Sequence, residues 1–117
     1  MLEYALKESF GFLHIKKQSI GEVFMATVIV YHDVKDGNHW AKAWKKSPGS
    51  RHEMFAKIGV KARTFRDEQN PNTTGLILDI PDMEKFQTFM ASDEAKQAMK
   101  EDGLDVKSLH TLNEFTL

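Results

Sequence analysis

The sequence predicts an α+β domain in the order βαββαβ: a four-stranded antiparallel sheet with its helices on one face. Three observations predict it. Strand-like runs rich in β-branched and apolar residues stand at 26–32, 60–66, 73–80 and 106–117. Apolar residues recur at helical spacing between the first and second runs and between the third and fourth. Only the polar segment Asp67-Glu68-Gln69-Asn70-Pro71-Asn72 separates the second run from the third, so those two pair antiparallel.

Each element has a local reason. Residues 26–32 alternate and are β-branched. Asp36 is a good N-cap, and Trp40, Ala43 and Trp44 follow at i, i+3 and i+4. Pro48-Gly49 breaks that helix. Ser50-Arg51-His52-Glu53 reads as a capping box, with Met54, Phe55 and Ile58 behind it on one side and Gly59 as the stop. Pro81-Asp82 opens the next helix, which turns Phe86, Phe89 and Met90 inward. Ser92 restarts it, and Asp93 and Glu94 suit the positive end of the helix dipole. Ala95, Ala98 and Met99 continue inward until Gly103 closes the helix. Residues 106–117 are expected as one strand. The order is ferredoxin-like, with each helix interrupted near its middle.

Residues 1–24 stand apart, since their apolar residues follow neither a strand nor a helix period. A short helix at 2–9 and a short strand at 10–15 are one expectation. The other is that the native protein begins at Met25, directly before the first clean strand. Gly21-Glu22-Val23 can be encoded by a purine-rich ribosome-binding sequence at a suitable distance. The expected organisation is an N-terminal extension at 1–24, which on the second expectation is an over-long gene start, and a domain at 25–117. The segment lacks the basic start and apolar run of a secretory signal.

Composition bounds the function. At 117 residues there is room for one domain, and 41% hydrophobic content supplies a core. Sixteen basic against 17 acidic residues give a net charge of −1, which argues against a general nucleic-acid binder. No run approaches the ~20 apolar residues of a membrane helix. The chain has no cysteine, which removes disulfides, thiolate metal sites and a cysteine nucleophile. That usage is compatible with a reducing compartment, and a cytoplasmic location is expected. No Gly-rich phosphate loop or serine nucleophile elbow is present. The strand order matches that of an RNA-recognition sheet, but the aromatic ribonucleoprotein motif is missing.

Strand alternation predicts two apolar sheet faces. Val28 and Val30 point one way and Ile29 and Tyr31 the other; Leu76, Leu78 and Ile80 oppose Ile77. Helices cover one face. The other is apolar enough to need a partner, and a two-fold homodimer is the simplest cover.

Further motifs carry a family resemblance. The run Tyr31-His32-Asp33-Val34-Lys35-Asp36 with Trp40 resembles the opening of the small dimeric α+β barrel proteins. Gly59-Val60-Lys61, Asn70-Pro71-Asn72, Asp82-Met83-Glu84-Lys85-Phe86, Ala91-Ser92-Asp93-Glu94-Ala95-Lys96 and Met99 to Gly103 extend the likeness across 25–117. The resemblance implies a homodimer whose sheets enclose a barrel, in a superfamily of cofactor-free monooxygenases, cyclases, haem-degrading enzymes, isomerase-like proteins and many members without known activity.

The candidate site residues are polar strand residues expected to face such a barrel: His32, His110 and Arg63, with Trp40 at its mouth. A histidine can act as a general base near neutral pH, and an arginine can steady an enolate or carboxylate. Against this stands the plainer expectation of hydrogen-bonded strand histidines and of Trp40 and Trp44 as core. His32, Asp33, Asp36 and His39 match no standard metal spacing, so neither a metal nor a cofactor is expected. Met54, Met90 and Met99 read as gap-fillers, and His52 as solvent-facing. Charge is uneven: residues 35–66 hold nine bases against two acids, net +7, and 82–102 hold six acids against three bases, net −3. A solvated face explains most of this; complementarity between chains or an anionic substrate are the alternatives. The leading functional expectation is a barrel protein of unassigned activity that binds a small hydrophobic or weakly acidic molecule. A cofactor-independent cyclase, isomerase or monooxygenase using a strand histidine comes second, and a protein-interaction module third.

Overall fold

Strands β1 (Ala26–Asp33), β2 (Lys61–Arg66), β3 (Thr73–Ile80) and β4 (His110–Asn113) form one antiparallel sheet in the order β2-β3-β1-β4. They are seen in a computed structural model of the chain that describes residues 25–115. Helices α1 (Gly37–Lys45) and α2 (Arg51–Ala56) connect β1 to β2. Helices α3 (Met83–Met90) and α4 (Asp93–Glu101) connect β3 to β4. The ferredoxin-like α+β fold is therefore as expected, including the break in each helical connection. The expectations for residues 1–24 lie outside the described residues, as do Thr116 and Leu117.

The β1–β3 register decides what faces the helices. Val28 sits opposite Leu78, Val30 opposite Leu76, and His32 opposite Thr74. All six are buried. Against them the helices lay Trp40, Trp44, Phe55, Phe86 and Met90. Trp44 stacks on Phe55 at 5.6 Å and Phe55 on Phe86 at 6.4 Å between ring centroids. Phe86, Leu78, Ile80 and Val28 are the largest fully buried side chains, each contributing roughly 1.5–3 kcal/mol by leaving water. On the reverse face Ile29, Tyr31, Phe65 and Leu112 are 41–52% exposed. The second apolar face is thus present.

The helix ends obey the local code. Asp36 accepts from the Asn38 and His39 N–H groups, Ser50 from Glu53, Asp82 from Lys85 and Ser92 from Ala95. The Glu53 carboxylate reaches back to the Gly49 N–H, one residue before the cap itself. Gly59 and Gly103 close their helices at φ +76° and +73°, the left-handed region that glycine enters without strain.

The last strand departs from expectation. Residues 106–108 form a 3₁₀ turn and β4 covers only 110–113. Two contacts explain the turn. Asp105 caps it by accepting from the Lys107 N–H. The end of β1 then grips it: the Asp33 N–H donates to Ser108 Oγ, and the Asp105 N–H donates to the Asp33 carbonyl. His110 therefore opens the strand rather than lying mid-strand.

Gly37 begins α1 where the chain passes against the β2–β3 turn. A Cβ there would lie 1.8 Å from the Pro71 carbonyl oxygen, while its N–H donates to Asn72 Oδ1. Gly37→Ala is expected to lower stability by about 1–3 kcal/mol, the usual range for an overpacked site. Urea denaturation followed by circular dichroism measures it.

Candidate functional site

A partly open cavity of about 60 Å³ lies between the sheet and the helices. Its floor is Val30 and His32 of β1 with Leu76 and Leu78 of β3; Trp40, Trp44, Phe55 and Phe86 are among its walls. The surround is apolar except for His32, the Trp44 indole N–H, and the pair Arg51–Asp102. These few polar groups in an apolar wall are what a small-molecule site uses to orient its ligand.

His32 reaches the cavity because alternation in β1 places it on the same face as Val28 and Val30. Cross-strand pairing puts Thr74 directly opposite. Thr74 Oγ1 donates its only proton to the His32 carbonyl at 3.1 Å. The 2.7 Å contact between the same oxygen and His32 Nδ1 is therefore donated by Nδ1–H. Nε2 then carries the lone pair, with no partner among the described residues. Burial pulls the imidazole pKa down from 6.5 to about 4. A backbone hydrogen bond and the Asp33 and Asp102 charges oppose that shift without cancelling it. At neutral pH the ring is an uncharged acceptor.

Trp44 Nε1 is buried without a hydrogen-bond partner among the described residues. A buried donor left unmet costs about 1–3 kcal/mol. The indole packs edge-on against His52 at 4.9 Å, so this outward-lying histidine helps fix the tryptophan. Arg51 opens α2, and Asp102 follows α4. Arg51 Nε donates to Asp102 Oδ2 at 2.9 Å and Nη2 to Oδ1 at 2.8 Å, with the two side chains 18% and 10% exposed. The Asp102 hydrogen bond, against an opposing desolvation, raises the Arg51 pKa.

The four sequence candidates do not converge. His32 and Trp40 share the cavity, their rings edge to face at 6.1 Å. Arg63 and His110 are on the reverse face: Arg63 pairs with Ile77, and His110 stacks on Tyr31 at 5.0 Å. The reason is register, since the two histidines occupy opposite-facing positions of adjacent strands. The cavity seen here lies within one chain, not between two copies. His32, Asp33, Asp36 and His39 also go separate ways. Asp36 caps α1, Asp33 accepts from Thr73 Oγ1, and His39 Nε2 contacts the Glu101 carbonyl. Among the described residues no three His, Cys, Asp or Glu side chains converge as metal ligands. Sequence reading missed Arg51 and Asp102, whose partnership spans 51 positions, and treated Trp44 only as core.

The sign of the His32 shift sets a pH dependence. Above pH 6.5 the imidazole is neutral folded or unfolded. Between 6.5 and about 4 the unfolded chain binds the proton and the folded chain does not. Stability should therefore fall across that window by roughly 3 kcal/mol relative to His32→Gln. Denaturation midpoints from pH 7.5 to 4 measure the difference, and ¹⁵N ring shifts should show Nδ1 protonated.

No family model and no curated protein matches this chain. Solved structures do. A solved structure described as "Putative antibiotic biosynthesis monooxygenase from Nitrosomonas europaea" is 12% identical, with a TM-score of 0.60 over 85% of this chain and 96% of that one. A second, of an antibiotic biosynthesis monooxygenase, is 11% identical, with a TM-score of 0.59 over 80% of this chain and 99% of that one. At such identities the likeness is one of fold alone, the ferredoxin-like α+β arrangement described above.

Proposed function

We propose that the cavity binds a small, largely apolar molecule bearing a weakly acidic hydroxyl and a carbonyl-type acceptor. The observation that carries this reading is the buried, unpartnered Trp44 N–H in the cavity wall. A ligand acceptor relieves its desolvation cost, and His32 Nε2 supplies the complementary acceptor for a ligand O–H. The apolar surround supplies the affinity.

A second reading is favoured by the protonation state of His32. An uncharged imidazole with Nε2 free accepts the hydrogen bond of an enol or phenol, and it takes the proton, leaving the electron pair on oxygen, once the developing oxyanion beside it raises its lowered pKa. That is the first step of a cofactor-independent reaction on an enol or phenol. The monooxygenase descriptions of the two structural neighbours point the same way.

In the same proposal the protein is a two-fold dimer through its open sheet face. Ile29, Tyr31, Phe65 and Leu112 spread over three strands, and Ile77 joins them from the fourth. A continuous apolar patch of this kind is characteristic of an interface.

Two experiments test these readings. 4-Hydroxyacetophenone, titrated into the ¹⁵N-labelled chain, should move the Trp44 indole N–H resonance saturably. Trp44→Phe should weaken its binding about tenfold, the value of one hydrogen bond. A stationary resonance at millimolar probe overturns the cavity reading. Sedimentation equilibrium should give a dimer for the native chain and a monomer for Ile29→Glu.

A further inference from the structure

Arg51 and Asp102 join the two helical connections at the cavity wall: Arg51 belongs to the α1–α2 side, Asp102 to the α3–α4 side. They also join the net-basic stretch of the sequence to the net-acidic one. A shielded ion pair is a weak source of stability, because desolvating both charges offsets most of their attraction. A pair of apolar side chains would hold the wall as well. What the ion pair adds is an arginine, its side chain 18% exposed, held by Asp102 beside an apolar hole. Two of its five N–H groups go to Asp102, and the other three have no partner among the described residues.

Cavity size points the same way. At about 60 Å³ the space is well below the roughly 300 Å³ at which small-molecule pockets begin. An organic occupant has to part the helices, and the ion pair is a clasp between them. A ligand carboxylate can undo that clasp at little electrostatic cost, because it offers Arg51 the same planar pair of oxygens that Asp102 offers. Asp102 also borders a surface hollow beside His39 and Gly103, and into that hollow its carboxylate then turns. A neutral ligand of the same shape has to break the pair without replacing it.

We infer that Arg51 is an acid-recognising residue of the cavity and Asp102 its internal placeholder, so that the preferred occupant is an apolar molecule carrying a carboxylate that displaces Asp102 from Arg51. This rests on the cavity being a binding site. Selectivity for the acid follows from the exchange, and affinity is held back by the Asp102 carboxylate that must be displaced.

The test compares two probes of one shape, cyclohexanecarboxylate and cyclohexanecarboxamide, by titration calorimetry and by the indole resonances of Trp40 and Trp44. These are the only tryptophans of the chain, and both line the cavity. The native chain should prefer the carboxylate. Asp102→Asn should tighten carboxylate binding at least tenfold and ease amide binding as well, since neither probe then has a pair to break, with the preference for the acid kept. Arg51→Met should erase the preference and leave the amide bound. If either single variant fails to fold, the double variant Arg51→Met with Asp102→Leu replaces both charges with apolar groups; it should bind both probes equally. Equal responses of the two probes to Arg51→Met, or a preference that survives in the double variant, overturn the inference. Amide binding without carboxylate preference in the native chain sinks the inference alone. Failure of both probes and of 4-hydroxyacetophenone to move either indole sinks the cavity reading with it.

Discussion

The pairing of β1 with β3 is the constraint on which the rest depends. Eight cross-strand pairs fix which residues face the helices. A slip of one residue would turn Val28, Val30 and His32 outward and bring Ile29 and Tyr31 inward. Because both sets contain apolar residues, hydrophobicity alone discriminates weakly between the two registers. The discrimination comes from size and polarity. Gly75, opposite Tyr31, leaves room for that ring on the open face, and a Cβ at Gly75 would lie 3.2 Å from the Val30 carbonyl. Thr74, opposite His32, satisfies the imidazole edge that burial would otherwise leave unpaired.

That satisfaction is one-sided, and the asymmetry is what makes the interior chemically interesting. Thr74 uses one proton and one lone pair on His32, and both fall on the Nδ1 side of the ring or on the backbone. The Trp44 N–H stays buried and unmet in an apolar surround, and Nε2 has no partner among the described residues. A core assembled only for stability would replace such groups with hydrocarbon, since each unmet polar atom costs more than a well-packed methyl group gains. Their retention alongside a shielded ion pair is what the proposed reading explains, as stability given up in the helix–sheet interior for recognition.

The sequence made the helix boundaries legible because their signals are local. Asp36, Ser50, Asp82 and Ser92 each bond to a backbone two or three residues away, so spacing alone identifies them. Residues 106–109 were misread because Val106 and Leu109 mimic strand apolarity. What bends that segment is Asp105 together with the end of β1, a partner 72 positions earlier. The site was half legible. Face parity placed His32 with Val28 and Val30, but parity cannot relate one strand to the next without the register, so His32, which faces the helices, was grouped with His110 and Arg63, which lie on the open face. Arg51 was hidden inside a capping box, where its neighbours Ser50 and Glu53 explain the local sequence without it.

Register also separates two properties that looked inseparable from sequence. A chamber between two copies would have made every suggestion about ligands depend on dimerisation. The cavity instead opens on the helix side of the sheet, and the apolar patch lies on the reverse side. Covering Ile29, Tyr31, Phe65 and Leu112 with a second copy would leave His32, Trp44 and Arg51 where they are. The open face and the cavity still share β1 and β3, whose alternate residues belong to one or the other. A partner that stiffens the sheet would thus hold the cavity floor while leaving the helices, its movable wall, free to part around an occupant. Dimerisation and ligand binding are in that case separate equilibria on one sheet, coupled only through its rigidity.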